Sequence, residues 1–237
     1  MSYVKNMQSF GKLKGICTGL GGAYNPGQQN LKVKALTTIQ FNAQQVMDEV
    51  IIAKTTYDNV TNQRELAFRD LRSLGSRICY LLRASNAHPL TLADAMVSNR
   101  ALQGRLKYRV AKPRAGEGEE PISGKQRSRS SDFANQLQYF AQLVKTALAE
   151  PTYNPTEPQL AGEALEQKVV ELRSLNELVM KTEQTLARVR QQRRDIFYEG
   201  EHSLVKTARA VKSYIRGVFG FRSTPHMETI NVSLIKR

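Results

Sequence analysis

Apolar side chains recur along most of this chain at alternating intervals of three and four residues, the spacing that lines one face of an α-helix. From Leu36 the series runs through Ile39, Ala43, Val46, Val50, Ala53, Tyr57, Val60, Arg64, Ala67, Leu71, Leu74 and Ile78 to Leu81. Arg64 is its one charged member. A second series passes from Leu165 through Lys168, Leu172, Leu175, Val179, Thr182, Leu186, Val189, Arg193 and Ile196 to Gly200. It resumes one residue out of phase at Leu204 and continues through Ala208, Val211, Ile215 and Val218. Heptad seams of this length predict long helices over about residues 28–85 and 157–218.

The two series belong to a repeat. Tyr24-Asn25-Pro26 recurs 129 residues on as Tyr153-Asn154-Pro155. At the same offset Leu31, Ala35 and Leu36 match Leu160, Ala164 and Leu165, and Gln63-Arg64 and Phe68 match Gln192-Arg193 and Phe197. Upstream, at an offset of 130, Tyr3, Phe10 and Leu13 match Phe133, Phe140 and Leu143. Each copy opens with a short amphipathic helix (3–13 and 133–149), followed by a turn rich in Pro, Gly and Asn. Each long segment is then either one rod or a hairpin. In the first copy the hairpin would turn near residues 55–62, where Asn62 and Glu65 have capping-box spacing. Either way the expected fold is all-α, an elongated antiparallel bundle of two tandem repeats related by a pseudo-twofold axis.

The first repeat is expected to span 1–103 and to include a short helix capped by Thr91 and Asp94. Residues 104–131, rich in Gly, Pro, Ser and charge, read as a basic linker. The second repeat spans 132–220. In the tail, 221–237, residues 229–234 alternate weakly like a strand, and a lone strand needs a partner.

Several segments carry a family likeness. They are Ser131-Asp132-Phe133-Ala134-Asn135, the Tyr153-Asn154-Pro155 turn, the Arg-rich stretch to Tyr198, and Leu204-Val205 through Phe219-Gly220. In the first half Asn62, Arg64, Phe68 and Leu81-Leu82-Arg83-Ala84-Ser85 join them. On these residues the chain resembles a family of uncharacterised, duplicated all-helical bacterial proteins of Bacteroidetes type. That resemblance implies no activity, cofactor or catalytic residue.

Composition sharpens the functional reading. No stretch approaches the roughly 18 apolar residues a membrane helix needs. The opening Met1-Ser2-Tyr3-Val4-Lys5-Asn6 has no signal-peptide pattern, so a cytoplasmic location is expected. Cys17 and Cys79 make neither a disulfide framework nor a zinc set, and His88, His202 and His226 stand at no metal spacing. The glycines around Cys17 lack the Gly-Lys-Ser/Thr ending of a phosphate loop. No catalytic, metal or cofactor set emerges, and no small-molecule substrate is indicated; a non-enzymatic protein is expected.

Arg64 and Arg193 sit on the seams, where a guanidinium is costly unless paired. They read as register-setting residues bridged to Glu65, Asp70 or Asp195. The formal charge is +14, from 35 Lys+Arg against 21 Asp+Glu. The basic residues concentrate in the linker (Arg105, Lys107, Arg109, Lys112, Arg114, Lys125, Arg127, Arg129) and in a stripe over 188–216 that includes Arg209, Lys212 and Arg216. The leading expectation is a helical scaffold or self-assembling unit, acting as a homo-oligomer or with a protein partner. The alternative is a non-sequence-specific nucleic-acid-binding protein that meets phosphates with the linker and the stripe.

Overall fold

The computed structural model describes residues 2–104 and 133–235, and all regular structure among them is helical. Eight α-helices follow one another: α1 (Ser2–Gly19), α2 (Val33–Phe68), α3 (Leu71–Ala84), α4 (Pro89–Leu102), α5 (Phe133–Leu148), α6 (Gly162–Arg194), α7 (Leu204–Phe219) and α8 (Thr224–Ile230). The expected linker, 104–131, lies outside the described residues apart from Gly104.

The long heptad segments are helical, with interruptions. The expected helix over 28–85 is two helices, α2 of 36 residues and α3 of 14. Neither Gly nor Pro falls within 33–68, so α2 runs unbroken through 55–62, where the hairpin alternative places its turn. The break comes at Arg69 and Asp70. There the Arg69 N–H turns to the Leu66 carbonyl at 3.3 Å, and the Asp70 carbonyl accepts the first bond of α3, from Leu74 N–H at 2.9 Å. The expected helix over 157–218 likewise divides into α6, a π-helical turn (Asp195–Glu199) and α7. The π turn closes with Gly200 N–H on the Asp195 carbonyl at 2.8 Å. Its wider winding inserts a residue where the apolar series slips phase.

By internal contacts the chain divides into two compact units. The first joins Met1–Asp58 to Lys181–Arg237; the second is Asn59–Met180. Both boundaries fall inside long helices, so this division cuts across the one drawn from the repeats.

The core of the first unit takes Phe10, Leu13 and Cys17 from α1, Leu36, Ala43 and Val46 from α2, and Leu204, Ala208, Val211 and Ile215 from α7. Asn6, fully buried on the same face of α1, holds the tail. Its Nδ2 donates to Tyr198 Oη and to the Ile235 carbonyl, both at 3.1 Å, and its Oδ1 accepts from Ile235 N–H at 2.8 Å. Ser9 Oγ donates to the Ser233 carbonyl at 2.6 Å. The tail is therefore not the strand its alternation suggests. Thr224–Ile230 is helical, and the segment after it satisfies much of its backbone on side chains of α1 and on Lys212 of α7.

In the second unit Phe68 and Leu71, Ile78 and Leu82 of α3, Leu102 of α4, Phe140 and Leu143 of α5, and Leu165 and Leu172 of α6 form the core. Gly75 lets α3 approach closely. A Cβ there would lie 2.7 Å from Leu102 Cδ2 and 3.3 Å from Leu143 Cδ2. The helix expected from Thr91 and Asp94 starts earlier, with Pro89 in its first turn and His88 as N-cap; His88 Nδ1 accepts from Leu90 N–H at 3.3 Å.

Candidate functional site

The two seam arginines occupy matching surroundings inside their own units. Arg193, on the last turn of α6, lays its guanidinium over the Tyr3 ring of α1, 4.1 Å from the centroid. Phe197 packs edge-on against the same ring at 5.0 Å. Arg64, near the end of α2, lies over Phe133 of α5, also at 4.1 Å, and Phe68 meets that ring edge-on at 4.9 Å. The expected bridges to Glu65, Asp70 or Asp195 do not form. Among the described residues the ion pairs are Lys54–Asp58 and Lys168–Glu171. The aromatic quadrupole takes the place of a carboxylate and spares a second buried charge its desolvation. The Nε of each arginine remains buried with no hydrogen-bond partner. Both arginines are half-buried and packed against a ring.

Tyr24 and Tyr153, from the recurring Tyr-Asn-Pro, repeat a second local device. Each hydroxyl crosses its turn to a backbone carbonyl seven residues on, Tyr24 to Leu31 at 2.7 Å and Tyr153 to Leu160 at 3.1 Å. Burial pushes the Tyr153 hydroxyl up to about 12, with Glu157 adding to the shift, and it pushes Tyr24 up further. Cys17 and Cys79 are buried free thiols whose pKa values are raised, chiefly by desolvation. A thiol kept neutral is a poor nucleophile. No group of three His, Cys, Asp or Glu side chains that could hold a metal forms among the described residues. Among the described residues no helix is long and apolar enough to cross a membrane.

One large depression is present in the second unit, an open groove of about 920 Å³ between α5 and the start of α6. Leu137, Ala141, Val144 and Val169 floor it, and Lys145, Glu166 and Arg173 stand among its lining. Its polar groups are helix-surface residues.

Charge is divided unequally between the units. The described residues of the first carry 16 Lys and Arg against 8 Asp and Glu, a surplus of eight. Those of the second carry 9 and 9, a surplus of none. On α7 the cations divide further. Lys206, Arg209 and Arg216 are exposed on one side of the helix, and the opposite face (Leu204, Val205, Ala208, Val211, Ile215) is buried. Lys212 leaves the predicted phosphate set. It is half-buried, its ammonium donates to the Val232 carbonyl, and desolvation lowers its pKa. The linker members of that set, Lys107, Arg109, Lys112, Arg114, Lys125, Arg127 and Arg129, lie outside the described residues.

One feature of this surface is not marked by the heptad pattern. After α7 the chain turns through Gly220, Phe221 and Arg222, and Phe221 stands 64% exposed with Arg216 and Arg222 beside its ring. The signal available in the sequence was an aromatic bracketed by a glycine and a basic residue just beyond a basic helix. The chain matches no protein-family model, no curated protein and no solved structure.

Proposed function

We propose that this is a non-enzymatic structural or interaction protein, a duplicated helical scaffold that assembles with copies of itself or with a protein partner. Duplication is supported by two pairs of matching devices at the sequence offsets of 129 and 130. They are the arginine-on-ring stacks Arg64–Phe133 and Arg193–Tyr3, and the tyrosine bonds Tyr24–Leu31 and Tyr153–Leu160. On this reading the tandem repeats form an antiparallel bundle with pseudo-twofold symmetry, and the likeness to duplicated all-helical bacterial proteins is a likeness of architecture.

The observation that carries the assembly reading is the apolar surface the long helices leave uncovered. Phe41, Ile51 and Ile52 are exposed on α2, and Val170 and Met180 on α6. Side chains of this size on helix surfaces, with the groove beside α5, are what an interface between helices uses. Size-exclusion chromatography with light scattering tests it: the expected mass is a multiple of 26.7 kDa. A monomer at every concentration from micromolar to near-millimolar would refute self-assembly.

A second reading, non-sequence-specific nucleic-acid binding, is favoured by the charge surplus that, among the described residues, falls in the first unit. It is a location for the basic character that scaffolding alone does not require. Its test is binding to mixed-sequence DNA and RNA that weakens about tenfold or more between 50 and 200 mM salt.

A further inference from the structure

We propose that the Gly220–Phe221–Arg222 turn and the outer ridge of α7 form a binding site for single-stranded nucleic acid, Phe221 stacking on an unpaired base while the ridge follows the phosphates. This deepens the second reading above and rests on it.

The turn is built, not frayed. Gly220 adopts φ 87° and Arg222 φ 66°, a left-handed conformation that glycine takes freely and arginine rarely. The fold holds it there. Gly220 N–H donates to the Arg216 carbonyl at 3.1 Å, Ser223 Oγ donates to the Gly220 carbonyl at 2.9 Å, and Arg222 N–H donates to Nδ1 of buried His226 at 3.2 Å. Between these anchors the Phe221 ring is largely exposed, with one side tilted against buried His226 at a centroid distance of 5.4 Å. The Arg216 and Arg222 guanidiniums lie 5.2 and 5.4 Å from the Phe221 centroid. A large ring kept in water on a fixed backbone loses little conformational freedom when a base stacks on it, and the flanking cations suit the neighbouring phosphates.

The ridge supplies direction. Residues 206, 209, 213 and 216 fall within one strip of α7, on the order of 15 Å long at 1.5 Å per residue. The strip presents Lys206, Arg209, Ser213 and Arg216, all exposed, and α7 contains no acidic residue. Lys206 also donates to the Glu199 carbonyl at 2.8 Å, which fixes the far end of the strip. A duplex keeps its bases stacked on one another, so a single aromatic finds its partner only in an unpaired strand. Val218, Met227 and Ile230 are also exposed on α7 and α8, which makes an anionic bilayer the competing occupant. Against it, the apolar face of α7 is already spent in the core, so this helix cannot lie down in a membrane interface.

Fluorescence anisotropy with the full chain tests the proposal. The probes are a labelled single-stranded oligonucleotide of mixed sequence, its duplex, and vesicles of phosphatidylcholine with phosphatidylserine. Phe221→Ala is expected to weaken single-strand binding about fivefold or more and to leave duplex binding within about twofold. Phe221→Trp is expected to keep the single-strand affinity. Arg209→Gln with Arg216→Gln is expected to lower the salt slope for single strands by roughly 1.4, the share of two phosphates. Unchanged single-strand binding by Phe221→Ala, or an equal loss on both forms, would overturn the stacking site and leave the second reading standing. Absence of salt-dependent binding by the wild type would overturn both. Vesicle binding that needs Phe221, without oligonucleotide binding, would give the site to lipid.

Discussion

Replacing Gly75 by Ala and Gly15 by Ala should move stability in opposite directions, although both glycines sit in helices. Gly15, on the exposed side of α1, has nothing within 4 Å of where a Cβ would stand. Alanine there removes backbone freedom from the unfolded chain and meets no obstacle, a gain of about 0.5–1 kcal/mol. At Gly75 the same gain is available, but the new Cβ falls 2.7 Å from Leu102 Cδ2, 3.0 Å from Asn99 Oδ1 and 3.3 Å from Leu143 Cδ2. Leu102 and Leu143 are both 0% exposed and packed among α3, α4 and α5, so neither can swing into solvent. Overpacking a filled core costs about 1–3 kcal/mol, which exceeds the propensity gain and leaves a net loss of roughly 0.5–2 kcal/mol. Urea unfolding followed by far-ultraviolet circular dichroism reads the difference. At an m-value of about 2 kcal/mol/M, Gly75→Ala should lower the midpoint by roughly 0.3–1 M, and Gly15→Ala should raise it. A Gly75→Ala protein as stable as Gly15→Ala would refute the close α3 packing.

Two further outcomes follow from buried titratable groups. Cys17 and Cys79 should resist a thiol reagent at pH 8 in the folded protein and react fully in denaturant, because burial holds both thiols neutral; rapid labelling of Cys17 without denaturant would contradict the α1 packing. Tyr153, with its folded pKa raised to about 12 from an unfolded value near 10, binds its proton more tightly when folded. Its contribution to stability is complete below pH 10 and is lost as pH rises through 12, so Tyr153→Phe should flatten the decline in thermal midpoint between those values.

Much of the helical content was legible because a seam of apolar residues at intervals of three and four is a direct consequence of 3.6 residues per turn. The phase slip between Ile196 and Leu204 was legible for the same reason, and the π turn at Asp195–Glu199 sits in that interval. The break at Arg69 and Asp70 was not, because no glycine or proline stands there. Leu71 and Leu74 continue the series of α2, so the spacing reads across the gap. At α4 the more distant capping pair, Thr91 and Asp94, drew attention from Pro89, whose fixed φ suits the first turn of a helix. The tail shows the limit of alternation as a signal. Val232 and Leu234 do pack on the core of the first unit, but the segment's hydrogen-bond partners include side chains of α1 more than 220 residues away in sequence, and Lys212 of α7.

The seam arginines carry the same lesson one step further. A charged residue on an apolar seam announces a partner, and the habitual guess is a nearby carboxylate. Glu65 stands next to Arg64 in sequence, yet adjacent helix residues point to different faces and cannot meet. Facing Arg193 is α1 and facing Arg64 is α5, and at positions 3 and 133 these helices offer an aromatic ring both times. The information was present as a coincidence of spacing: the arginines stand 129 residues apart and the rings 130. A face-stacked guanidinium keeps its charge without a second ion to desolvate, which suits a helix surface that is only half-buried. What the ring cannot do is accept the Nε proton, and that donor is left unmet at both positions. The two stacks thus come with an unmet hydrogen bond each, and they keep both guanidiniums engaged with the fold. Exposed cations that can meet an outside partner lie beyond the seam, among them those on the outer ridge of α7 and at the turn that follows it.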